Sequence, residues 1–232
     1  MEIRGERECR DCGTRWSYFE TGSVTCPACG SLRSVGVGGR AEHTDAPADL
    51  VLADAVSTAA DGDLRTAAEH GAERAAEYVR VRGFVNAGEL QPLDDTYLAA
   101  QELRHAGVEL ARRPAVGERE ERYLLALLRG APGGDRPDEV PASLHGPRGL
   151  AAAAATREYV RDVSRWLGEE SPPGARDLVG ALSDHRKRIE AFDGEVPPAE
   201  ADRLVAAARA LGEYVRGDES ALAVARERLD RL

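Results

Sequence analysis

The chain has 232 residues, enough for one or two domains with real cores, and its 41 acidic and 31 basic side chains leave a net charge of −10. No run of about 18 apolar residues occurs, which excludes a membrane-spanning helix, and the acid excess argues against a broad phosphate-coating surface. Lys187 is the only lysine, so arginine supplies nearly all the positive charge. Abundant acid with almost no lysine is the composition expected of a salt-adapted protein. In molar salt the Debye length falls to about 3 Å, and surface acids cease to repel one another. A GC-rich genome would also favour arginine and alanine, but accounts less well for the acids. Glu2, Arg4, Glu6 and Arg7 place charge where a secretion signal would be apolar, so a cytoplasmic location is expected.

Four cysteines open the chain as Cys9-x2-Cys12-x13-Cys26-x2-Cys29. Each C-x-x-C puts two sulfurs on one tight turn, and Gly13 and Gly30 follow, where glycine permits the positive φ that turns backbone N–H groups toward thiolates. Two such knuckles joined by a hairpin converge on a tetrahedral site suited to Zn²⁺. No cysteine is left over, which in a cytoplasmic chain favours metal over disulfides. Iron is the alternative, because Cys12-Gly13 and Cys26-Pro27-Ala28-Cys29-Gly30 also resemble rubredoxin knuckles. A rubrerythrin-like di-iron bundle would need two Glu-x-x-His pairs, and the chain has one, Glu102 to His105. Four thiolates also close the coordination sphere, which disfavours catalytic zinc. Between the knuckles, Thr14 to Phe19 reads as a strand. Trp16 and Tyr18 would then cover the site from one face, and Arg15 and Phe19 would face a partner from the other.

Composition shifts near residue 40. Residues 1–40, with six basic and five acidic side chains, are nearly charge-balanced and read as the ribbon, whereas 41–232 hold all of the acid excess and read as an all-α domain. Gly36, Gly38 and Gly39, with the polar stretch to Asp49, read as a linker. A weak helix follows near 50–60. Leu64, Ala67, Ala68, Gly71, Ala75, Tyr78 and Val79 then recur at helical spacing up to Gly83. Asp94 and Asp95 open a helix through Ala99, Leu103, Ala106 and Leu110, and a short one carries Tyr123, Leu124, Leu127 and Leu128. Residues 130–149, with nine Gly or Pro in twenty positions, predict a mobile surface loop. Four helices complete the chain: one through Val160 and Val163, one through Leu178, Leu182, Ile189 and Phe192, one starting at Pro197-Pro198, and one through Leu222 to Leu232. The fold class is therefore mainly α: a small-β zinc ribbon followed by a bundle of about eight helices, with no strand after residue 40. Ala-x4-Glu-Tyr-Val-Arg occurs three times, ending at Arg80, Arg161 and Arg216, at spacings too unequal for a solenoid. Drift in an Ala/Glu/Arg-rich chain accounts for it.

Over residues 5–36 the two knuckles, with Gly13, Pro27 and Gly30, resemble the zinc ribbon of transcription factor IIB, although its inter-knuckle spacing is shorter than usual for that type. The chain as a whole resembles halophilic-archaeal proteins containing such a ribbon, a family without established activity. Gly83-Phe84-Val85-Asn86-Ala87-Gly88 and Leu93-Asp94-Asp95-Thr96-Tyr97 share in that resemblance and carry no known chemistry. The cyclin-like repeats of transcription factor IIB are not recognisable here, and a ribbon alone does not transmit promoter function.

His185 falls between Leu182 and Ile189 and reads as a hydrogen-bonded core histidine. Glu102 and His105 read as a solvated i,i+3 pair, and Arg186-Lys187-Arg188 as a charged helix face. No P-loop, Rossmann fingerprint or Ser/His/Asp signature occurs, so no enzyme is expected. Three classes remain: an adaptor with a protein partner, a nucleic-acid-associated factor, and an iron electron carrier. The acidic body places the adaptor first.

Overall fold

The computed structural model describes residues 2–168 and 171–232. Strands β1 (Glu2–Ile3), β2 (Glu6–Cys9) and β3 (Arg15–Ser17), the single-turn helix α1 (Tyr18–Thr21), and strands β4 (Ser34–Val37) and β5 (Ala41–Glu42) form the N-terminal ribbon. Its sheet is antiparallel in the order β3-β2-β4, and β1 pairs separately with β5. After residue 42 come α2 (Ala53–Ala60), α3 (Leu64–Val81), the hairpin β6 (Val85–Asn86) and β7 (Glu89–Leu90), α4 (Asp95–Arg112), α5 (Glu118–Gly130), α6 (His145–Leu167), α7 (Ala175–Ala191), α8 (Pro198–Val215) and α9 (Ala221–Asp230). The mainly helical class and the eight helices past residue 40 match the expectation among the described residues. The strands past residue 40 do not: β5, β6 and β7 are two residues each, too short for any period-two pattern to show in the sequence.

Capping and small side chains shape the bundle. The Asp63 and Asp94 carboxylates accept from the N–H groups of Thr66 (3.0 Å) and Tyr97 (2.6 Å), satisfying first-turn donors of α3 and α4. The helix α4 packs between α3 and α6, and α6 in turn carries α7 and α8. Gly107 allows the α3–α4 approach. A Cβ there would stand 2.6 Å from the Ala68 carbonyl oxygen and 2.9 Å from the Ala72 methyl. Phe84 meets Tyr97 and Tyr159 edge-on, at 4.8 and 4.9 Å between ring centroids. Phe192 departs from the apolar face assigned to it. It caps α7, where the helix ends, and is 62 % exposed.

The stretch 36–49 is not a free linker. Its first residues complete β4 and β5, and Thr44 to Ala46 lie along the 81–85 segment as a strap. The Thr44 and Ala46 N–H groups donate to the carbonyls of Val85 (2.9 Å) and Val81 (3.1 Å). The Asp45 carboxylate accepts from Arg82 Nε at 2.6 Å and from the Gly83 N–H at 3.1 Å. From α6, the fully buried Asp162 accepts from the Thr44 hydroxyl (2.7 Å) and the Phe84 N–H (2.9 Å). Gly83 lies so close beneath the strap that a Cβ would meet the Thr44 carbonyl oxygen at 2.5 Å. The composition shift near residue 40 thus marks a change of fold, and the chain crosses it by side-chain and backbone hydrogen bonds.

The stretch 130–149 also differs from the expected loop. Ala131–Gly133 and Ala142–Leu144 are 3-10 turns, α6 already begins at His145, and Ala131 and Leu144 are fully buried. Its arginines explain the anchorage. Glu102, fully buried on α4, accepts from Arg148 Nη1 at 2.8 Å to each oxygen and from Arg136 Nη1 at 2.9 Å. The Tyr123 hydroxyl on α5 donates to Glu102 as well, and Arg148 Nη2 reaches both oxygens of Asp202 on α8 at 3.0 Å. Burial opposes the charge on Arg148, but Glu102 and Asp202 outweigh it and raise its pKa. Burial, then the Glu102 charge, push the Tyr123 hydroxyl up as well, so it stays a donor. Glu102 is therefore no solvated partner of His105. Burial, then Arg104 and Arg157, bring His105 down to about 4 and keep it neutral.

Removing the carboxylate charge would leave the buried Arg148 and Arg136 to share Asp202, whose side chain is 41 % exposed, as their one remaining counter-ion among the described residues. Glu102→Gln should cost about 3–5 kcal/mol of unfolding free energy, as for other broken buried pairs. Glu77→Gln, whose side chain is 57 % exposed, should cost less than about 1 kcal/mol. Urea denaturation followed by circular dichroism compares the two, and equal losses would refute the assignment of the network as a keystone.

Candidate metal centre

Each knuckle is built by the same pair of backbone bonds. The Cys9 N–H donates to the Thr14 carbonyl (2.9 Å) and the Gly13 N–H to the Cys9 carbonyl (3.0 Å). At the second knuckle the Cys26 N–H donates to the Ser31 carbonyl (2.9 Å) and the Gly30 N–H to the Cys26 carbonyl (2.9 Å). Gly13 (φ 75°) and Gly30 (φ 72°) sit in the left-handed region, as the spacing predicts. Nothing lies within 4 Å of a Cβ at either position, so backbone conformation rather than space selects glycine.

The β2–β3 and β2–β4 pairings bring the knuckles face to face, and all four sulfurs lie within 4.8 Å of one another. The Cys9–Cys29 Sγ separation is 3.7 Å and that of Cys12–Cys26 is 3.6 Å. A regular tetrahedron with metal–sulfur bonds near 2.3 Å has edges of about 3.8 Å, so the donor set fits one tetrahedral ion. These separations exclude disulfides, and all four cysteines are free. Electrostatics point the same way. The Thr14 hydroxyl and backbone draw the Cys12 thiol down to about 6. Cys29, despite the favourable Ser31 backbone, is pushed up to about 12 by its bonds to Cys12 and Cys26. Four thiolates this close cannot all ionise unaided, and a divalent ion removes the conflict. The tetrathiolate suits zinc and rubredoxin-type iron alike.

Trp16 covers the site as expected. It is buried with Cys9 and Cys26, and its Nε1–H donates to the Ser23 carbonyl at 2.9 Å. The other strand assignments fail because β3 ends at Ser17 and the chain turns into α1. Tyr18 and Phe19 leave the alternation, and the half-buried Phe19 ring packs 4.7 Å from the His43 ring. Arg15 remains exposed, with its guanidinium 2.7 Å from Glu8, so Arg15 and Phe19 do not share one outward face. Sequence reasoning missed the brace between the knuckles. The Asp11 carboxylate, inside the first C-x-x-C, accepts from the Ser31 hydroxyl (2.5 Å) and from Arg33 Nη1 (2.8 Å). Polar residues flanking both knuckles were its only sequence signal. Away from the ribbon, His185 is half-buried, and burial lowers its pKa. Arg186, Lys187 and Arg188 pair with Glu190, Asp184 and Glu200, as a charged helix face does.

The ribbon core of Cys9, Trp16 and Cys26 is separate from the apolar core of the bundle. Metal binding to so small a module supplies its folding energy, of order 10 kcal/mol. Elemental analysis should find one metal ion per chain, and chelation should unfold the ribbon while sparing the helices. Loss of most far-ultraviolet helical dichroism on chelation would show instead that ribbon and bundle unfold together.

No curated protein and no solved structure matches the chain. A match running from residue 1 to residue 229 covers ribbon and bundle together, and by it the chain belongs to a family of unknown function, DUF7117.

Proposed function

We propose that the chain is a non-enzymatic adaptor in which Zn²⁺ on Cys9, Cys12, Cys26 and Cys29 holds the ribbon as a docking surface for a protein partner. The observation that carries this reading is the closed tetrathiolate. All four sulfurs lie within 4.8 Å of one another, which leaves a metal there no open position for water or substrate. Two apolar side chains stand out on the ribbon: Leu32, 73 % exposed just after the second knuckle, and Val24, 43 % exposed just before it. They take the apolar role first given to Phe19, and Arg15 supplies an exposed cation on the same module. Among the described residues the ion pair of Arg15 is to Glu8; it is solvent-exposed and contributes less than about 1 kcal/mol, so the guanidinium is available to a partner.

The acid-rich, lysine-poor composition supports a salt-adapted, cytoplasmic setting. In such a setting, binding that depends on released phosphate counter-ions weakens as a power of salt, whereas apolar contacts persist. This favours a protein partner over nucleic acid.

Capture on the immobilised zinc-loaded chain in molar KCl is the test. Cross-linking mass spectrometry should place the partner on the ribbon, and capture should survive nuclease. Leu32→Asp should abolish it with zinc content intact, whereas Cys26→Ser should lose both. Captured material that disappears with nuclease would replace the adaptor by a nucleic-acid factor, and a red chain with stoichiometric iron would replace it by an electron carrier. The melting temperature should also climb steeply with KCl. A temperature unchanged from dilute buffer to molar salt would overturn salt adaptation.

A further inference from the structure

The triple echo Ala-x4-Glu-Tyr-Val-Arg has a spatial counterpart. Its first copy ends α3 and its second lies in α6, and α4 runs between those two helices. Glu77 and Arg80 of the first copy and Glu158 and Arg161 of the second line opposite walls of one cleft of about 470 Å³. Tyr97, Gln101 and Arg104, spaced i, i+4 and i+7 along α4, line the same cleft between them. Arg82 and Arg157 join its rim.

In a chain of net charge −10, five arginines and two acids around one cleft are an inversion of the general field. Most of that charge is already matched. Arg82 is held by Asp45, Glu77 by Arg74 at 2.8 Å, and Glu158 is shared by Arg157 and Arg161. Arg80 and Arg104 differ: among the described residues neither side chain has an ion pair or a hydrogen bond. Gln101 is an independent observation. It is 1 % exposed, its Nε2 donates to the Tyr97 hydroxyl at 3.3 Å, and its Oε1 has no donor. A buried amide oxygen is normally paired, so this one awaits an N–H or O–H from outside the chain.

We propose that this cleft binds a phosphomonoester of mononucleotide size, with its phosphate on Arg80 and Arg104 and a hydrogen-bond donor from the rest of the molecule on Gln101 Oε1. Two unmatched guanidinium groups correspond to the nearly doubly negative charge of a phosphomonoester at neutral pH, and their planar forks suit its oxygens. The Gln101 acceptor requires more than inorganic phosphate, and the volume lies within the range of small-ligand pockets. Burial pushes the Tyr97 hydroxyl up to about 12, so it stays protonated and available as a further donor at the floor.

Titration calorimetry on the full zinc-loaded chain, at low and at molar KCl, tests this with AMP, GMP, CMP, UMP, ribose 5-phosphate, adenosine and inorganic phosphate. At least one phosphomonoester should bind saturably and more tightly than either adenosine or inorganic phosphate. Arg80→Ala and Arg104→Ala should each weaken it roughly tenfold or more, the loss expected for a hydrogen bond to a charged group. Neither guanidinium makes a hydrogen bond or ion pair among the described residues, so both variants should keep the wild-type helical dichroism. Gln101→Met should weaken the phosphomonoester and leave inorganic phosphate unchanged. The proposal is overturned if no phosphomonoester binds, if the Arg80→Ala/Arg104→Ala double variant binds as well as the wild type, or if inorganic phosphate binds as tightly as the best phosphomonoester.

Discussion

A carboxylate withdrawn from water must find donors or lose its charge, and the two fully buried ones among the described residues, Asp162 and Glu102, show how the chain uses this. Asp162 finds the Thr44 hydroxyl and the Phe84 N–H, and so fixes where the strap lies on α6. Glu102 finds Arg148, Arg136 and Tyr123, and through Arg148 reaches Asp202. The apolar faces of an alanine-rich bundle specify direction poorly, because many registers bury small side chains almost equally well. Two buried acids with fixed donors remove that freedom. Exposed ion pairs, such as Arg231–Glu227 at 67 and 60 % exposure, contribute solubility and little stability.

The parts legible in the sequence were those governed by short-range rules. Cysteine spacing and the two following glycines gave the knuckles, and apolar periodicity gave the helices. The parts that were not legible depend on contacts across long stretches of chain. Glycine content between 130 and 149 suggested freedom, yet Arg136 and Arg148 anchor that stretch to a residue on α4. Glu102 looked like the surface partner of His105, because helical spacing says which side chains are neighbours but not which face is buried. Phe19 continued a plausible alternation that ends at Ser17, where the chain turns into α1. The strap at 44–46 carried no periodic signal, since its polar side chains, Thr44 and Asp45, are engaged by groups 37 to 118 positions away.

Arginine does unequal work in this chain. Inside the bundle it neutralises Glu102, and at the strap it neutralises Asp45, whereas at the α3–α4–α6 cleft two guanidinium groups are left over. Lysine could fill none of these roles equally well, because its ammonium lacks the planar fork and loses charge more readily on burial. Near-absence of lysine is therefore compatible with the buried architecture as well as with a salty solvent, and the two explanations act on different residues.

The pairing of β1 with β5 sets Glu2 opposite Glu42 and Ile3 opposite Ala41, so the ribbon begins and ends at one place. The stretch between Gly22 and Thr25 is tied into that closed unit: the Ser23 carbonyl accepts from Trp16 Nε1 and the Val24 carbonyl from the Ser34 hydroxyl. Loop closure alone grows slowly with length, by about 0.6 kcal/mol per doubling, so the cost of an insertion there lies in the bonds it displaces and not in the added chain. The short spacing between Cys12 and Cys26 thus matches a connection bonded at two consecutive carbonyls.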